Sequence, residues 1–600
     1  MLTAQKCLEI ARKRGEAAQE INRVYRMLKC KELYFIAYGK LSANRGALTP
    51  GTVPDDTVDG MSVKRIDAII DKLTTGCYEW KPSRRIYIGK SRSKSLRPLG
   101  MPSWSDKLLQ EVMRMILQAY YEPQFRDCSH GFRPKRGCHT ALKAISRTWT
   151  GTRWFIETDI KGCFENINHA VLLTTISKKV KDARFLKLLK GMLQVGYLEQ
   201  GIRYHTYSGT PQGGILSPLL ANIVLNELDV YIEDLLLPQY NQGTRKTPNP
   251  KYRRLMSLRN TAKKHRQKWR WDDAGKTLRK TPSMAGNDSE FKRLRYIRYA
   301  DDAILAVDGS HEDAEKITAE IGTFLHGIGL EMSAQKTLIT HAKNDKARFL
   351  NYLISVEWND TKQTVNRRGH KSRSVNGGIH LEMPPDVYQE WKARVCGKHG
   401  KIVHRPELLY VSDYDIVATY EVELQGLLNY YAFACNVQKR GHSLRYFWQQ
   451  SLAKTLAGKH RTTMPHIYKK YHDRTEKGRK TIAVVIPRAH KNPLTAIFGN
   501  KPIERKRDVV INDTIAHIHT GRTQLVERML ADTCELCGSR VDVQVHHIKK
   551  LKDLRKKWQG RKDKPEWVKK MIAIRRKTLV VCKKHHDMIH RGEYDGAKLV

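Results

Sequence analysis

Tyr299-Ala300-Asp301-Asp302 stands between two apolar-rich runs, Leu294 to Tyr299 and Ala303 to Val307. Both runs read as strands, which puts the paired carboxylates at a tight turn. Adjacent carboxylates at a hairpin tip repel one another unless cations sit with them, so packing alone is a poor reason to keep them. An Asp-Asp pair by itself still fits an ordinary exposed turn. A third acid ends another apolar strand, Trp154-Phe155-Ile156-Glu157-Thr158-Asp159. Central pairing of these strands would bring Asp159 beside Asp301 and Asp302. Three carboxylates suit two Mg²⁺ ions, hard cations that take few protein ligands and keep positions for phosphate oxygens. Such a pair would activate a 3′-hydroxyl and stabilise a departing pyrophosphate in an in-line displacement.

Further blocks surround the acids in a definite order. Upstream are Arg84-Arg85-Ile86-Tyr87-Ile88-Gly89-Lys90, Leu96-Arg97-Pro98-Leu99-Gly100-Met101-Pro102 and His130-Gly131-Phe132-Arg133-Pro134. A Gly/Pro loop, Gly209-Thr210-Pro211-Gln212-Gly213-Gly214-Ile215-Leu216-Ser217-Pro218, opens an apolar helix over 219–228. Downstream come Leu330-Glu331-Met332-Ser333-Ala334-Gln335-Lys336-Thr337 and Arg348-Phe349-Leu350-Asn351-Tyr352. Together these blocks resemble the reverse-transcriptase fingers and palm of mobile group II introns. The TPQGG block distinguishes them from retroviral enzymes.

The resemblance implies roles residue by residue. Asp159, Asp301 and Asp302 match Mg²⁺ ligands. Lys90 and Arg97 match fingers cations that hold an incoming deoxynucleoside triphosphate, as two cations beside a tetra-anion should. Phe164 matches the bulky ring that excludes a 2′-hydroxyl, and Gln212 a nucleotide-contacting residue. Lys336 is either an acid for the pyrophosphate or a plain phosphate contact. Relatives often carry FLGY where this chain has Phe349-Leu350-Asn351-Tyr352; Asn also tolerates φ > 0, so a primer-grip hairpin is still expected.

Residues 385–460 are helix-rich, and Glu421 to Tyr431 resembles the thumb, or domain X, of intron maturases. A basic helical thumb grips a duplex by shape and phosphate, because A-form RNA offers little major-groove readout. The Tyr430-Tyr431 pair is read as core packing. Leu235 to Phe291 reads as an insertion; between Arg245 and Lys280 it holds 14 Lys or Arg and two acids, a solvated arm with general attraction for RNA. Lys491, Lys501, Arg505, Lys506 and Arg507 are candidate phosphate contacts in a DNA-binding segment.

The last seventy residues carry metal-ligand spacing. Cys534-x₂-Cys537 and Cys582-x₂-His585 make two knuckles that fit a tetrahedral Zn²⁺. His586 and His590, at i and i+4, share a helix face. His546-His547 ends an alternating strand, so the two rings point to opposite sides. The arrangement resembles an HNH (ββα-metal) nuclease, with His547 as general base and His546, His586 and His590 on a divalent ion. A zinc knuckle that binds DNA without cutting is the plainer alternative. The family's second knuckle is usually CxxC, and its usual Asn is absent here, where Lys577-Thr578-Leu579 stand; His585 and His586 could also exchange roles.

The chain has 600 residues, about four times a ~150-residue domain, so several cores are expected. Lys and Arg outnumber Asp and Glu by 109 to 61, a net +48, which calls for a polyanion partner. A spanning helix is excluded by the lack of a long uncharged apolar run. Met1 to Lys31 has an amphipathic helical pattern, unlike a signal peptide. Eleven cysteines, scattered except for Cys534, Cys537 and Cys582, favour a reducing compartment over a disulfide framework.

The fold class expected is multidomain α+β. Right-hand polymerase-like fingers and palm span 1–360, with the basic insertion at about 235–291, followed by an α-helical thumb at 361–488, a small DNA-binding segment at 489–530 and a C-terminal ββα-metal domain at 531–600. The resemblance implies intron RNA, target DNA and deoxynucleoside triphosphates as partners, no membrane, and a cytoplasmic, nucleoid-associated setting of bacterial or organellar type. The cofactors implied are two Mg²⁺ in the polymerase site, a structural Zn²⁺ and a divalent ion at the HNH site. A homodimer remains open. The implied activities are cDNA synthesis, splicing assistance and cleavage of one target strand; the alternative is a splicing maturase with an idle polymerase or nuclease.

Overall fold

The computed structural model describes all residues except 1–2, 45, 90–95, 207, 211–212, 285–287, 289, 360–362, 366–368, 370, 374–375, 398–399, 475–477, 489–490, 509–523, 550–553, 555–563, 574–575 and 594–600. Its centre is a four-stranded antiparallel sheet in the order Arg293–Tyr299, Asp302–Asp308, Trp154–Asp159, Leu338–His341. The near-continuous apolar run from Ala303 to Val307 follows from burial on both faces. Ile156, Leu294, Tyr296, Leu305 and Val307 join a core with the N-terminal helices and the helix Ser217–Tyr231. Phe155, Ile297, Ile304 and Ala306 point the other way, into a core shared with the helix Cys138–Thr148 and the helical region after residue 384.

A second sheet places Leu96–Met101 against Ser83–Gly89, which continues to Tyr197–Glu199 and Ile202–Tyr204. The N-terminus is helical over Ala4–Glu16, then turns through left-handed residues at Ala18 and Arg23 before Lys31–Leu41. The amphipathic pattern from Met1 to Lys31 is therefore broken into pieces. Within the insertion, Pro250–Lys264 and Lys268–Leu278 pack on each other as a helical pair with mostly exposed basic side chains.

The helical region is built on Pro385–Ala393, Asp413–Tyr430 and Val437–His460. Ser412 caps the second helix by accepting the Asp415 amide at 3.1 Å. Ile416, Tyr420, Leu424 and Leu427, three or four apart, form its buried face. A three-stranded sheet follows, His472–Arg474, Lys480–Arg488 and Lys491–Ile497. Its last two strands, Lys480–Arg488 and Lys491–Ile497, pair antiparallel, so a boundary at 488/489 would separate paired strands. The strand Lys491–Ile497 goes with the helical region, against which its hairpin packs.

At the C-terminus, Val543–His547 pairs antiparallel with Thr578–Cys582, and Lys583–Arg591 completes a ββα unit. Leu579, Val581, Trp567, Val568 and Met571 form its own small core. Val543, Val545 and Val580 belong instead to the large N-terminal core, so the unit is docked and shares buried surface with the start of the chain.

Candidate functional site

Asp159 ends its strand directly opposite Asp302, the first residue of its own. Residues paired in this way lie about 4.5–5.5 Å apart at Cα. Asp301 sits in the two-residue turn between Tyr299 and Asp302, after Ala300 at φ +57°. The sheet thus brings the three acids to one end of the central hairpin. Burial raises the Asp301 carboxyl, with the charge of Asp159 adding to it. Asp302 is pushed up to about 6 by burial and by the charges of Asp301 and Asp159, although its side chain opens toward solvent.

The segment downstream of Leu330 folds back onto this end. The Ser333 amide donates to the Asp159 carbonyl at 2.8 Å, and Lys336 Nζ reaches Asp159 Oδ2 at 2.8 Å. The positive field of Arg97 also reaches Asp301. Lys90 and Gln212 lie outside the described residues. Phe164 is half-buried on the turn Cys163–Asn166, edge-on to Phe132 at 6.3 Å between centroids. Its carbonyl accepts the Thr210 amide at 2.7 Å, which ties the Gly/Pro loop to this ring. The loop passes so close that a Cβ on Gly209 would meet Glu165 O at 2.5 Å.

Beneath the turn is a buried cation that sequence reading missed. Arg298 is fully buried with Asp229. Its Nε and Nη2 hold the two Asp229 oxygens, Nη1 donates to Asn222 Oδ1 at 3.0 Å and to Ala300 O at 2.8 Å, and Nη2 also donates to Ser129 Oγ at 2.9 Å. All five N–H groups are thereby used. A lone Arg in an Arg/apolar strand gave no signal of this, because Arg293 and Arg295 alternate with apolar residues in the same strand. The segment His130 to Pro134 runs alongside: His130 N donates to Arg298 O at 2.9 Å, and a Cβ on Gly131 would fall 2.3 Å from Ala300 N.

Phe349-Leu350-Asn351-Tyr352 forms a tight hairpin with Leu350 and Asn351 both left-handed. Tyr430 donates to Leu350 O at 2.7 Å and Tyr431 to Asn351 O at 3.0 Å. The tyrosine pair therefore anchors the hairpin to the helical region through its hydroxyls as well as its rings.

The C-terminal unit holds two ligand groups. The ligand atoms of Cys534, Cys537, Cys582 and His585 lie within 4.8 Å of one another, as do those of Asp59, His546, His586 and His590. Among the described residues, no other three or more His, Cys, Asp or Glu side chains gather so tightly. In the first group Cys537 and Cys582 are 4.0 Å apart at sulfur, and His585 Nδ1 is 3.2 Å from Cys582 Sγ. A tetrahedron with 2.3 Å Zn–S bonds has edges of about 3.8 Å, so a closed Cys₃His zinc site fits. His585 stands with the thiols and His586 with His590.

In the second group both ring nitrogens of His546 are buried without a hydrogen-bond partner among the described residues, as suits a ring facing a cation. Asp59 Oδ1 lies 3.2 Å from His586 Nε2, and Oδ2 lies 2.7 Å from His590 Nε2. Burial works against the Asp59 charge, but the His586 contact, the fields of His546 and His586 and the His547 amide hold its carboxyl far below the ordinary range. Asp59 was not legible in advance: it lies 488 positions before His547, and no spacing rule links them. His547 points to the opposite side. It is buried with Nε2 2.9 Å from the Tyr38 hydroxyl, and burial lowers its pKa to about 4. In the stretch Lys577-Thr578-Leu579, Arg528 donates to the Thr578 backbone oxygen at 3.2 Å while pairing with both oxygens of Glu535.

No helix among the described residues is long and apolar enough to cross a membrane. Three families match the chain. "Reverse transcriptase (RNA-dependent DNA polymerase)" covers residues 88–240, "Type II intron maturase" 390–497, and "AI2M/AI1M-like, HNH endonuclease" 534–586. The chain is 39% identical to the group II intron-encoded protein LtrA of Lactococcus lactis subsp. cremoris, over 95% of this chain and 96% of that protein. It is 31% identical to the putative COX1/OXI3 intron 1 protein of Saccharomyces cerevisiae, over 96% of this chain and 69% of that one. Against protein YkfC of Escherichia coli K12 the identity is 32%, over 56% and 83% of the two chains.

Proposed function

The chain belongs to the group II intron-encoded proteins, a multifunctional family with reverse-transcriptase, maturase and HNH endonuclease domains, and from that premise we propose how its residues divide the work. Asp159, Asp301 and Asp302 hold the ions of RNA-directed DNA synthesis; the observation that carries this is the direct pairing of Asp159 with Asp302. Two Mg²⁺ ions held by these acids would supply charge stabilisation to the reacting oxygens. The central sheet is the palm, the sheet around Ser83–Gly89 the fingers, and the helices from Pro385 to His460 the thumb. Lys90 and Arg97 bind the triphosphate of a deoxynucleotide, Gln212 contacts the nucleotide, and Phe164 screens the sugar. Lys336 bridges Asp159 to the departing phosphates, which its 2.8 Å contact with that acid supports.

Intron RNA binds the basic thumb and insertion, drawn by a net charge of +48. Cys534, Cys537, Cys582 and His585 hold a structural Zn²⁺, and His546, His586 and His590 hold a divalent ion for cutting one DNA strand. His547 is the base for the attacking water once its ring is uncovered. The new 3′ end then primes cDNA synthesis at the palm acids.

Asp301→Ala tests the division. In primer extension on an RNA template it is expected to lose cDNA synthesis, while protein-assisted splicing of the intron proceeds as in the unaltered protein. Equal loss of both activities would show that the acids serve folding or RNA binding and not polymerisation alone.

A further inference from the structure

The N-terminal segment Val58–Met61 lies across the nuclease centre. The Gly60 amide donates to Val545 O at 3.1 Å and the Val545 amide donates to Met61 O at 2.9 Å, so the segment adds an edge to the ββα hairpin. Gly60 takes a left-handed turn, φ +70°, that an L side chain rarely adopts, and it brings the chain into ordinary contact range of the His586 ring. Lys64 pairs with Asp542 beyond it. Asp59 is thereby set among the three imidazoles, and it also accepts the His547 amide at 2.7 Å. Tyr38, from the helix Lys31–Leu41, covers the other side by its contact with His547.

An ion that cuts DNA needs positions for a phosphate oxygen and for water, and three protein ligands leave them. A carboxylate added to the same three rings is an anion where the scissile phosphate must come. We propose that Asp59 is a fourth, in-chain ligand of the HNH centre and that, with Tyr38 over His547, it keeps the nuclease closed until DNA phosphate displaces it. This rests on the reading of His546, His586 and His590 as the nuclease ligands. It assigns to the N-terminal segment a role outside polymerisation, namely to withhold cutting from a protein not yet seated on DNA.

The test uses the full-length protein bound to its intron RNA, with Asp59→Ala, Asp59→Asn and His590→Ala. Mn²⁺ binding is counted as the portion that His590→Ala removes, and nicking of target DNA is followed by its initial rate. Hydrogen exchange at the Val545 amide is read in chelator-treated protein, where no ion contributes. Asp59→Ala is expected to weaken that Mn²⁺ binding roughly ten-fold, a scale on which even outer-shell partners move metal affinity. It should also speed Val545 exchange and raise the nicking rate several-fold. Asp59→Asn, which retains an acceptor for the His547 amide, should keep the fold and still nick faster than the unaltered protein. Nicking that falls with Asp59→Ala as it does with His590→Ala would make Asp59 a productive ligand and overturn the closure. Unchanged Mn²⁺ affinity and exchange would remove Asp59 from the centre altogether. If the unaltered protein and His590→Ala nick at one rate, the nuclease assignment fails, and with it the closure.

Discussion

Arg298 is fully buried beside Asp229 and spends every N–H it has, one of them on the carbonyl of Ala300 at the turn that carries Asp301. Removing one member of a buried ion pair strands the other, at a cost of about 3–5 kcal/mol. Arg298→Met should therefore lower the thermal midpoint sharply, and Asp229→Leu added to it should recover part of the loss. Recovery of stability without recovery of cDNA synthesis is the expected pattern, because the double variant still lacks the brace on Ala300. If the double variant regains full synthesis, the turn is held by its hairpin alone. Asp302 gives a prediction in pH. Its carboxyl is raised to about 6 in the folded protein, so the folded state binds its proton more tightly than the unfolded one. The stability it contributes is full below the ordinary carboxylate range and is lost as pH rises through about 6. In chelator, the unaltered protein should lose more thermal stability than Asp302→Asn between pH 5 and pH 7. Solvent on the open side of Asp302 trims the size of that difference but not its sign. Equal losses would mean that neither burial nor the neighbouring acids raise the Asp302 carboxyl in the folded chain.

At the scale of elements, the hairpin Phe349-Leu350-Asn351-Tyr352 and the helix Asp413–Tyr430 meet through two tyrosine hydroxyls. Tyr430→Phe keeps the ring and deletes the hydrogen bond to Leu350 O. Single-nucleotide addition should survive this change, whereas the length of cDNA made per binding event should fall, as measured under a template trap. Unaltered product length would reduce the contact to packing. The strands around Asp159, Asp301 and Asp302 could be read from sequence because burial on both sheet faces leaves an unbroken apolar run from Ala303 to Val307, because apolar residues open Trp154-Phe155-Ile156 and recur through Leu294 to Tyr299, and because the turn at Ala300-Asp301 is only two residues long. The ββα ligands were readable for a similar reason: CxxC, CxxH and HxxxH are local spacings. The N-terminal helix was over-read, since an apolar periodicity does not announce left-handed residues such as Ala18 and Arg23. Arg298, Asp229 and Asp59 escaped for the opposite reason. Their partners lie on elements far away in the chain, and a single sequence carries no mark of contacts between them.

At the scale of the molecule, the excess of 109 basic over 61 acidic residues is spread through insertion, helical region and C-terminal unit, so no single domain owns the affinity for nucleic acid. RNA affinity should fall steeply and linearly in log–log form as salt rises, with a slope set by the number of phosphates neutralised. Deleting the Pro250–Lys264 and Lys268–Leu278 pair should make that slope shallower; an unchanged slope would place the insertion off the RNA. The docking of the HNH unit on the N-terminal core gives the molecule a second level of organisation, in which the segment that precedes the polymerase sheets also brings Asp59 against His546, His586 and His590. The acids of the central hairpin remain the claim on which the division of labour depends. Its most direct measurement is anomalous diffraction from Mn²⁺ in crystals of the protein with template–primer and an unreactive deoxynucleotide analogue. The account predicts two ions about 3.5–4 Å apart, with Asp159 and the Asp301–Asp302 turn both within ligand distance. Ions bound at the triphosphate without Asp159 among their ligands would contradict it.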